Sequence, residues 1–303
     1  MEKIFENEFE SHSKSVAALN LDYNKHFDHP FKKSDILKIL PSVGSINNLN
    51  RSGDIQFQIL QTSNPVDLCN SYLYFEIEIN TIKKDTTLEN NFLPSLFDKM
   101  TLKLGQYSIE TIDNPGICSS ILNFICKDPT YLETGETYGW IPDHNTLFIT
   151  KTEVAGATAT DPKTIKREYS QENEGYGKRK LFYKTDNDGK CKLTLGFRLK
   201  HLFGFLQDFN RVIFNTKIEL SLTRKIEDKG VFFGSEDSAA TLEIKTLELH
   251  VYEVSLEVGS EIKLLERLKS GNPIYVDYLQ RITGEENLTE GTSFSTNLST
   301  ISY

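Results

Sequence analysis

The chain has 303 residues, 38% of them hydrophobic and 25% charged. That length gives one large or two modest domains, and that composition excludes a disordered or fibrous chain. No run approaches the roughly 18 consecutive apolar residues of a membrane-spanning helix. The net charge of −9 repels phosphate on average, so direct nucleic-acid binding is not expected.

The first 45 residues are mixed in character. Glu2, Glu6, Glu8 and Glu10 make the start acidic, and Lys32, Lys33 and Lys38 then turn it basic. Met1 to Ser15 holds no apolar core of a secretory signal, so a protein made in the cytosol and not secreted is expected. Periodicity is weak throughout residues 1–45, which read as an N-terminal arm. Within it, Ser34 to Leu40 reads as a short helical turn before Pro41.

From residue 54 the pattern changes to period two. Ile55, Phe57 and Ile59 alternate with Gln56 and Gln58. Leu73, Phe75, Ile77 and Ile79 alternate with Tyr74, Glu76 and Glu78. Met100, Leu102 and Leu104 follow the same rule, as do Leu193, Leu195, Phe197 and Leu199, then Ile218, Leu220 and Leu222. Successive strand side chains point to opposite faces, so each run buries one face and wets the other. These runs predict antiparallel sheets packed as a sandwich or a barrel. Residues 241–258 read as one long strand whose apolar register slips twice, each slip needing a bulge or bend.

Helical signals are short. Ile117, Ile121, Leu122 and Ile125 share one helical stripe, and Leu202, Phe205, Leu206 and Phe209 share another. Ser260 is placed to cap a helix over 261–269 that stops at Gly271. All three read as connectors on a β scaffold. Residues 127–180 carry three prolines and five glycines and read as a long insertion loop. Asp188-Gly189 reads as a hairpin turn. The polar stretch 284–303 reads as a tail. The resulting division is an arm at 1–45, a β domain at 46–258, and a short helix, stub and tail at 259–303.

Motifs with chemistry are scarce. Cys69, Cys118, Cys126 and Cys191 form no C-x-x-C pair and read as reduced thiols. His12, His26, His29, His144, His201 and His250 are scattered, and the i, i+3 pair His26/His29 lacks a third ligand nearby. Asp186-Asn187-Asp188-Gly189 imitates half a calcium loop, but Lys184 and Leu195 stand where acids are needed. Glu76 and Glu78 lie on the wet face of a strand and read as solubilising. The sequons at Asn50, Asn287 and Asn297 read as chance matches. No catalytic residue, metal or cofactor is expected, and no enzyme activity. The Gly175–Lys180 segment reads as a solvated loop, with Lys178, Arg179 and Lys180 as basic contacts. Trp140 reads equally as an interface anchor or as a local plug.

A family resemblance comes from the order of several segments. Ser52-Gly53-Asp54-Ile55-Gln56-Phe57-Gln58-Ile59 is followed by Val66-Asp67-Leu68-Cys69-Asn70-Ser71-Tyr72-Leu73-Tyr74 and by Asn91-Phe92-Leu93-Pro94-Ser95-Leu96-Phe97. Val212-Ile213-Phe214-Asn215 leads into Ile218–Arg224, and Leu242–Ser255, Leu264-Leu265-Glu266 and Pro273-Ile274-Tyr275 complete the series. This series resembles the major capsid proteins of Maverick/Polinton elements and adintoviruses, over residues 45 to 280. The resemblance implies an all-β antiparallel jelly-roll sandwich with a few short connector helices. It also implies a capsid structural protein that works by self-assembly, in the virion, as a trimer or larger homo-oligomer, with no membrane contact. In that family a second jelly roll follows the Pro273 landmark. Only about 30 residues follow it here, too few for eight strands of 5–6 residues. The expectation is therefore one jelly roll plus a stub, completed by a second capsid chain. The alternative is a jelly-roll binding module that works with a partner protein.

Overall fold

The computed structural model describes residues 31–42, 44–60, 64–80, 86–126, 135–141, 145–154, 164–182, 190–228, 230–234, 240–271 and 276–283. Eight strands build two facing sheets. Sheet A contains β1 (Phe31–Ile39), β13 (Thr241–Leu256), β3 (Val66–Asn80) and β9 (Lys190–Arg198) in that order, with the two-residue β10 (Val212–Ile213) beside the start of β3. Sheet B contains β2 (Gly53–Ile59), β11 (Ile218–Arg224), β5 (Phe97–Leu104) and β6 (Tyr107–Asp113). All these pairings are antiparallel.

Numbered among themselves, the eight strands pair first with last, second with seventh, third with sixth and fourth with fifth. The pairs alternate between the sheets. A long hairpin wound on itself gives this arrangement, which defines a jelly roll. The expected all-β sandwich is the observed fold.

The alternating residues make the core. Ile55, Phe57, Leu73, Phe75, Ile77, Ile79, Met100, Leu102, Leu195, Phe197, Leu220 and Leu222 are all buried between the sheets. Strand β13 shifts register between Ile244 and Thr246 and again between His250 and Tyr252, so the long strand does carry two irregularities. A helix over Val258–Lys269 follows, with Leu264 buried. It starts earlier than expected: Glu257, not Ser260, is the N-cap, and it makes no side-chain capping bond.

Three expectations are corrected. Residues 34–40 are not a helical turn: 34–39 lie in β1, which pairs with β13 from Phe31↔Leu256 to Ile39↔Leu249, and Leu40 follows the strand. The sandwich therefore starts at Phe31, inside the segment read as an arm. Residues 127–180 are not one loop. They contain a hairpin of β7 (Asn145–Val154) and β8 (Thr164–Asn173), described by its backbone, and a helix over Glu174–Phe182. Residues 175–180 are thus helical rather than a solvated loop. The Asp188-Gly189 turn, His26, His29 and the 284–303 tail lie outside the described residues.

The register places the connectors. Asn80 pairs with both Lys190 and Thr241, and Arg224 pairs with both Gly53 and Phe97. The connections 40–52, 81–96, 114–189 and 225–240 therefore share one end of the sandwich. The connections 60–65, 105–106 and 199–217 share the other. Arg224 ties the loaded end together. Its Nε donates to the Leu49 carbonyl (3.3 Å), its Nη1 to the Leu96 carbonyl (2.9 Å), and its Nη2 to Asp228 Oδ1 (2.5 Å).

Candidate interaction surfaces

The structure brings Trp140 and Arg179 together and turns both inward. Trp140 is 2% exposed, its backbone N–H donates to the Gly135 carbonyl at 2.9 Å, and Phe124 meets its ring edge-on at 5.1 Å. The next residue, Ile141, is clasped from two sides. Its N–H donates to Asn90 Oδ1 (2.8 Å), and its carbonyl accepts from Arg179 Nη1 (2.7 Å). Asn91 N–H also donates to the Gly139 carbonyl (2.9 Å). Arg179, at 2% exposure, spends its charge on a backbone carbonyl inside the fold. Within this single chain Trp140 packs on Phe124 and Arg179 clamps the Ile141 carbonyl. Lys178 is exposed, and the Lys180 side chain lies outside the described residues.

A surface that the sequence did not flag lies on α2 (Pro115–Cys126); α1 is the short turn Phe92–Ser95. Pro115 holds the first helical position, where a missing N–H costs nothing. Gly116 faces Ser95 so closely that a Cβ would stand 2.7 Å from the Ser95 Cα. That approach fixes the helix rotation. Cys118, Ser119 and Asn123 turn inward, while Ile117, Ile121, Phe124 and Ile125 are 49%, 50%, 68% and 75% exposed. The helix thus presents four of its large apolar residues outward, while Leu122 packs toward the core with the small and polar Cys118, Ser119 and Asn123. No residue of 115–126 is charged, in a chain where a quarter of residues are.

The edges of both sheets are guarded differently. β1 is an edge strand that carries lysines, and Lys33 pairs with Asp35 at 2.7 Å. The opposite edge, β6, is covered by residues 276–283. The Tyr278 hydroxyl donates to the Ile109 carbonyl (2.8 Å), and the Leu279 N–H donates to Asp208 Oδ2 (2.8 Å). At the centre of this contact sits Glu110, fully buried on the inward face of β6. Its Oε1 accepts from Gly204 N–H (3.1 Å) and Arg281 N–H (2.8 Å), and its Oε2 accepts from Phe205 N–H (3.0 Å). Burial raises its pKa above the ordinary 4.5, and this outweighs the three backbone donors that favour the carboxylate.

The outer face of sheet A carries a polar aromatic layer. His250, 5% exposed, lies between Tyr72 and Glu248: its Nδ1 is 2.9 Å from the Tyr72 hydroxyl and its Nε2 is 2.7 Å from Glu248 Oε2. Tyr74 stacks on the imidazole at 5.3 Å. Glu76 accepts from Tyr74 and Thr246, and Glu78 from Lys190, the bonds of an ordinary solvated strand face. Beside this layer a groove of about 570 Å³ opens under Tyr138. Cys69, Cys118 and Cys191 are buried free thiols, and among the described residues no three His, Cys, Asp or Glu side chains converge on a metal position.

Residues 149–298 match the family model of a double jelly roll-like domain. No curated protein matches. Among solved structures, PBCV-1 VP54 fitted into a reconstruction of the virophage Sputnik is similar at 11% identity and a TM-score of 0.41, over 80% of this chain and 47% of that one. The Faustovirus major capsid protein is similar at 10% identity and a TM-score of 0.45, over 82% and 58%. A quasi-atomic PBCV-1 capsid structure gives 10% and 0.36, over 80% and 47%. The chain thus spans about half the length of the capsid structures it matches.

Proposed function

We propose that this chain is a capsid structural protein that assembles side by side with copies of itself, as trimers or larger rings. The observation that carries the reading is the uncharged, outward apolar face of α2. Chains of net charge −9 repel one another, so a contact between copies needs a neutral patch to overcome the long-range term. An apolar patch of this kind marks an interaction site on a soluble surface. β1 carries charge and β6 is covered, so two of the four sheet edges disfavour strand addition, and contact through side-chain faces is the favoured mode. The segments at 52–59, 66–74 and 91–97 favour a capsid protein of Maverick/Polinton type, made in the host cytosol and carried in the virion. The match of residues 149–298 to a double jelly roll-like domain supports the capsid reading.

Light scattering after size exclusion, with negative-stain microscopy of the same fractions, tests this. The expected result is species at multiples of 34.6 kDa that fall to the single mass in Phe124→Asp. A wild-type chain that stays at 34.6 kDa at all concentrations, alone and with host lysate, would overturn the assembly reading. The groove on sheet A favours the second reading, a binding module, and its own chemistry follows.

A further inference from the structure

We infer that the groove on the outer face of sheet A is a carbohydrate site that takes a neutral pyranose ring. Gly196 lies in the floor of the groove, inside β9 near its C-terminal end. A glycine inside a strand weakens it and marks a bulge, a bend or the close approach of another group. β9 pairs with β3 without a register shift from Lys190 to Arg198, so there is no bulge. Gly196 has no positive φ, and a Cβ there would meet only Tyr72 Cδ2, at an ordinary 3.6 Å. Neither backbone nor packing requires the glycine. Its effect is to leave the floor of the groove open.

The lining selects the ligand. The rings of Tyr72, Tyr138 and Tyr252 supply flat apolar faces, which suit the C–H faces of a sugar. Asp67 and Asn70 supply acceptors and donors for hydroxyl groups. One carboxylate and one guanidinium, Asp67 and Arg198, cancel in charge, which disfavours a phosphate or a polyanion. Among the described residues of the lining, Val212 and Val254 are the aliphatic members, too few for an apolar helix. Tyr72, Gly196, Arg198, Tyr252 and Val254 line the groove from the outer face of β3, β9 and β13, so a ligand seated there meets side chains rather than a free backbone ladder. A volume of about 570 Å³ lies within the 300–1,000 Å³ range of small-ligand sites.

The polar groups are held in place beforehand. The Tyr72 hydroxyl is fixed by His250 Nδ1 at 2.9 Å. Asp67 accepts from the Asn70 backbone N–H (3.3 Å) and from Asn70 Nδ2 (2.8 Å). The Arg198 guanidinium lies over the Tyr138 ring, 5.6 Å from its centre. Groups ordered before binding lose little freedom on binding.

Saturation-transfer NMR on the full chain tests the site, with methyl glycosides of glucose, galactose, mannose and N-acetylglucosamine as probes. At least one should receive saturation at its ring protons. Gly196→Val, which fills the floor while raising strand propensity, should weaken that sugar by about tenfold or more without lowering the melting temperature. Asp67→Asn, a near-isosteric change, should weaken it as well. Transfer to none of the four sugars overturns the proposal, as does equal binding by Gly196→Val. So does a groove whose amides become protected from exchange on self-association with no competition from sugar, which would make this face a protein interface.

Discussion

Removing the Glu110 carboxylate should unlock the segment that covers β6. Three backbone N–H groups, from Gly204, Phe205 and Arg281, end on its two oxygens. A buried donor left without an acceptor costs about 1–3 kcal/mol, and bonds to a charged acceptor stand at the upper end. Partial resolvation through the vacated space lowers the sum, so Glu110→Ala should cost about 3–4 kcal/mol. Glu110→Gln keeps the oxygen shared by Gly204 and Arg281 but sets an amide N–H₂ against the Phe205 N–H, and should cost about 1–2 kcal/mol. Urea unfolding gives the order, and hydrogen exchange at Leu279 and Arg281 gives the location. The pH dependence has a definite sign. A raised folded pKa means that the native state holds the proton more tightly than the unfolded chain. The proton-linked part of the Glu110 contribution is therefore fully present below pH 4.5 and is lost as pH rises through the folded pKa, while its hydrogen bonds to the three N–H groups remain. Glu110→Gln should flatten that part of the curve. A Glu110→Ala protein within about 0.5 kcal/mol of the parent, or one that loses stability while 276–283 stays protected, refutes the reasoning.

Arg224→Leu should destabilise by about 3 kcal/mol, because it strands Asp228 and releases the Leu49 and Leu96 carbonyls together. Calorimetry should show one cooperative transition at lower temperature, and an unchanged melting point would count against the tie. Glu219 feels burial, which raises its pKa, but its bonds to Lys103 and Lys217 outweigh this and hold it below 4.5. Its stabilising share is present above pH 4.5 and is lost as pH falls through the folded pKa. Glu219→Gln should therefore reduce the fall in melting temperature on acidification, and a curve unchanged from the parent would argue against that pairing.

The sandwich was legible because burial on one face forces alternation, and β2, β3, β5, β9 and β11 are all buried on one face. β1 was not, since its position at the rim leaves Ile36 47% exposed and Lys33 and Lys38 in water. The hairpin β7–β8 is rich in Thr, Lys and Glu, and its strands pair with each other rather than with the core sheets. The α2 stripe was visible as a periodicity, but periodicity does not say which way a stripe faces. That is set by the approach of Gly116 to Ser95, a contact between separate elements. Trp140 and Arg179 drew attention by residue type, and their burial follows from partners at Gly135, Asn90 and Ile141 that no local pattern announces. Glu110 left no signal either: one acid between Ile109 and Thr111 looks like any solvent-facing residue. Asn50 is similar, its amide bonded both ways to Ile244, 194 residues away.

The pairing of first strand with last also governs how the chain is made. β13 lies between β1 and β3, so neither has that neighbour until residue 256 has been synthesised. At about 5–20 residues per second, the interval from the end of β3 to the end of β13 is roughly 10–35 s on the ribosome. During that interval the apolar face of β3 waits without its central partner, and the sheet closes only when the last strand threads between two that were made long before. Such a chain folds late and all together, and its yield in a cell depends on what shelters β3 meanwhile.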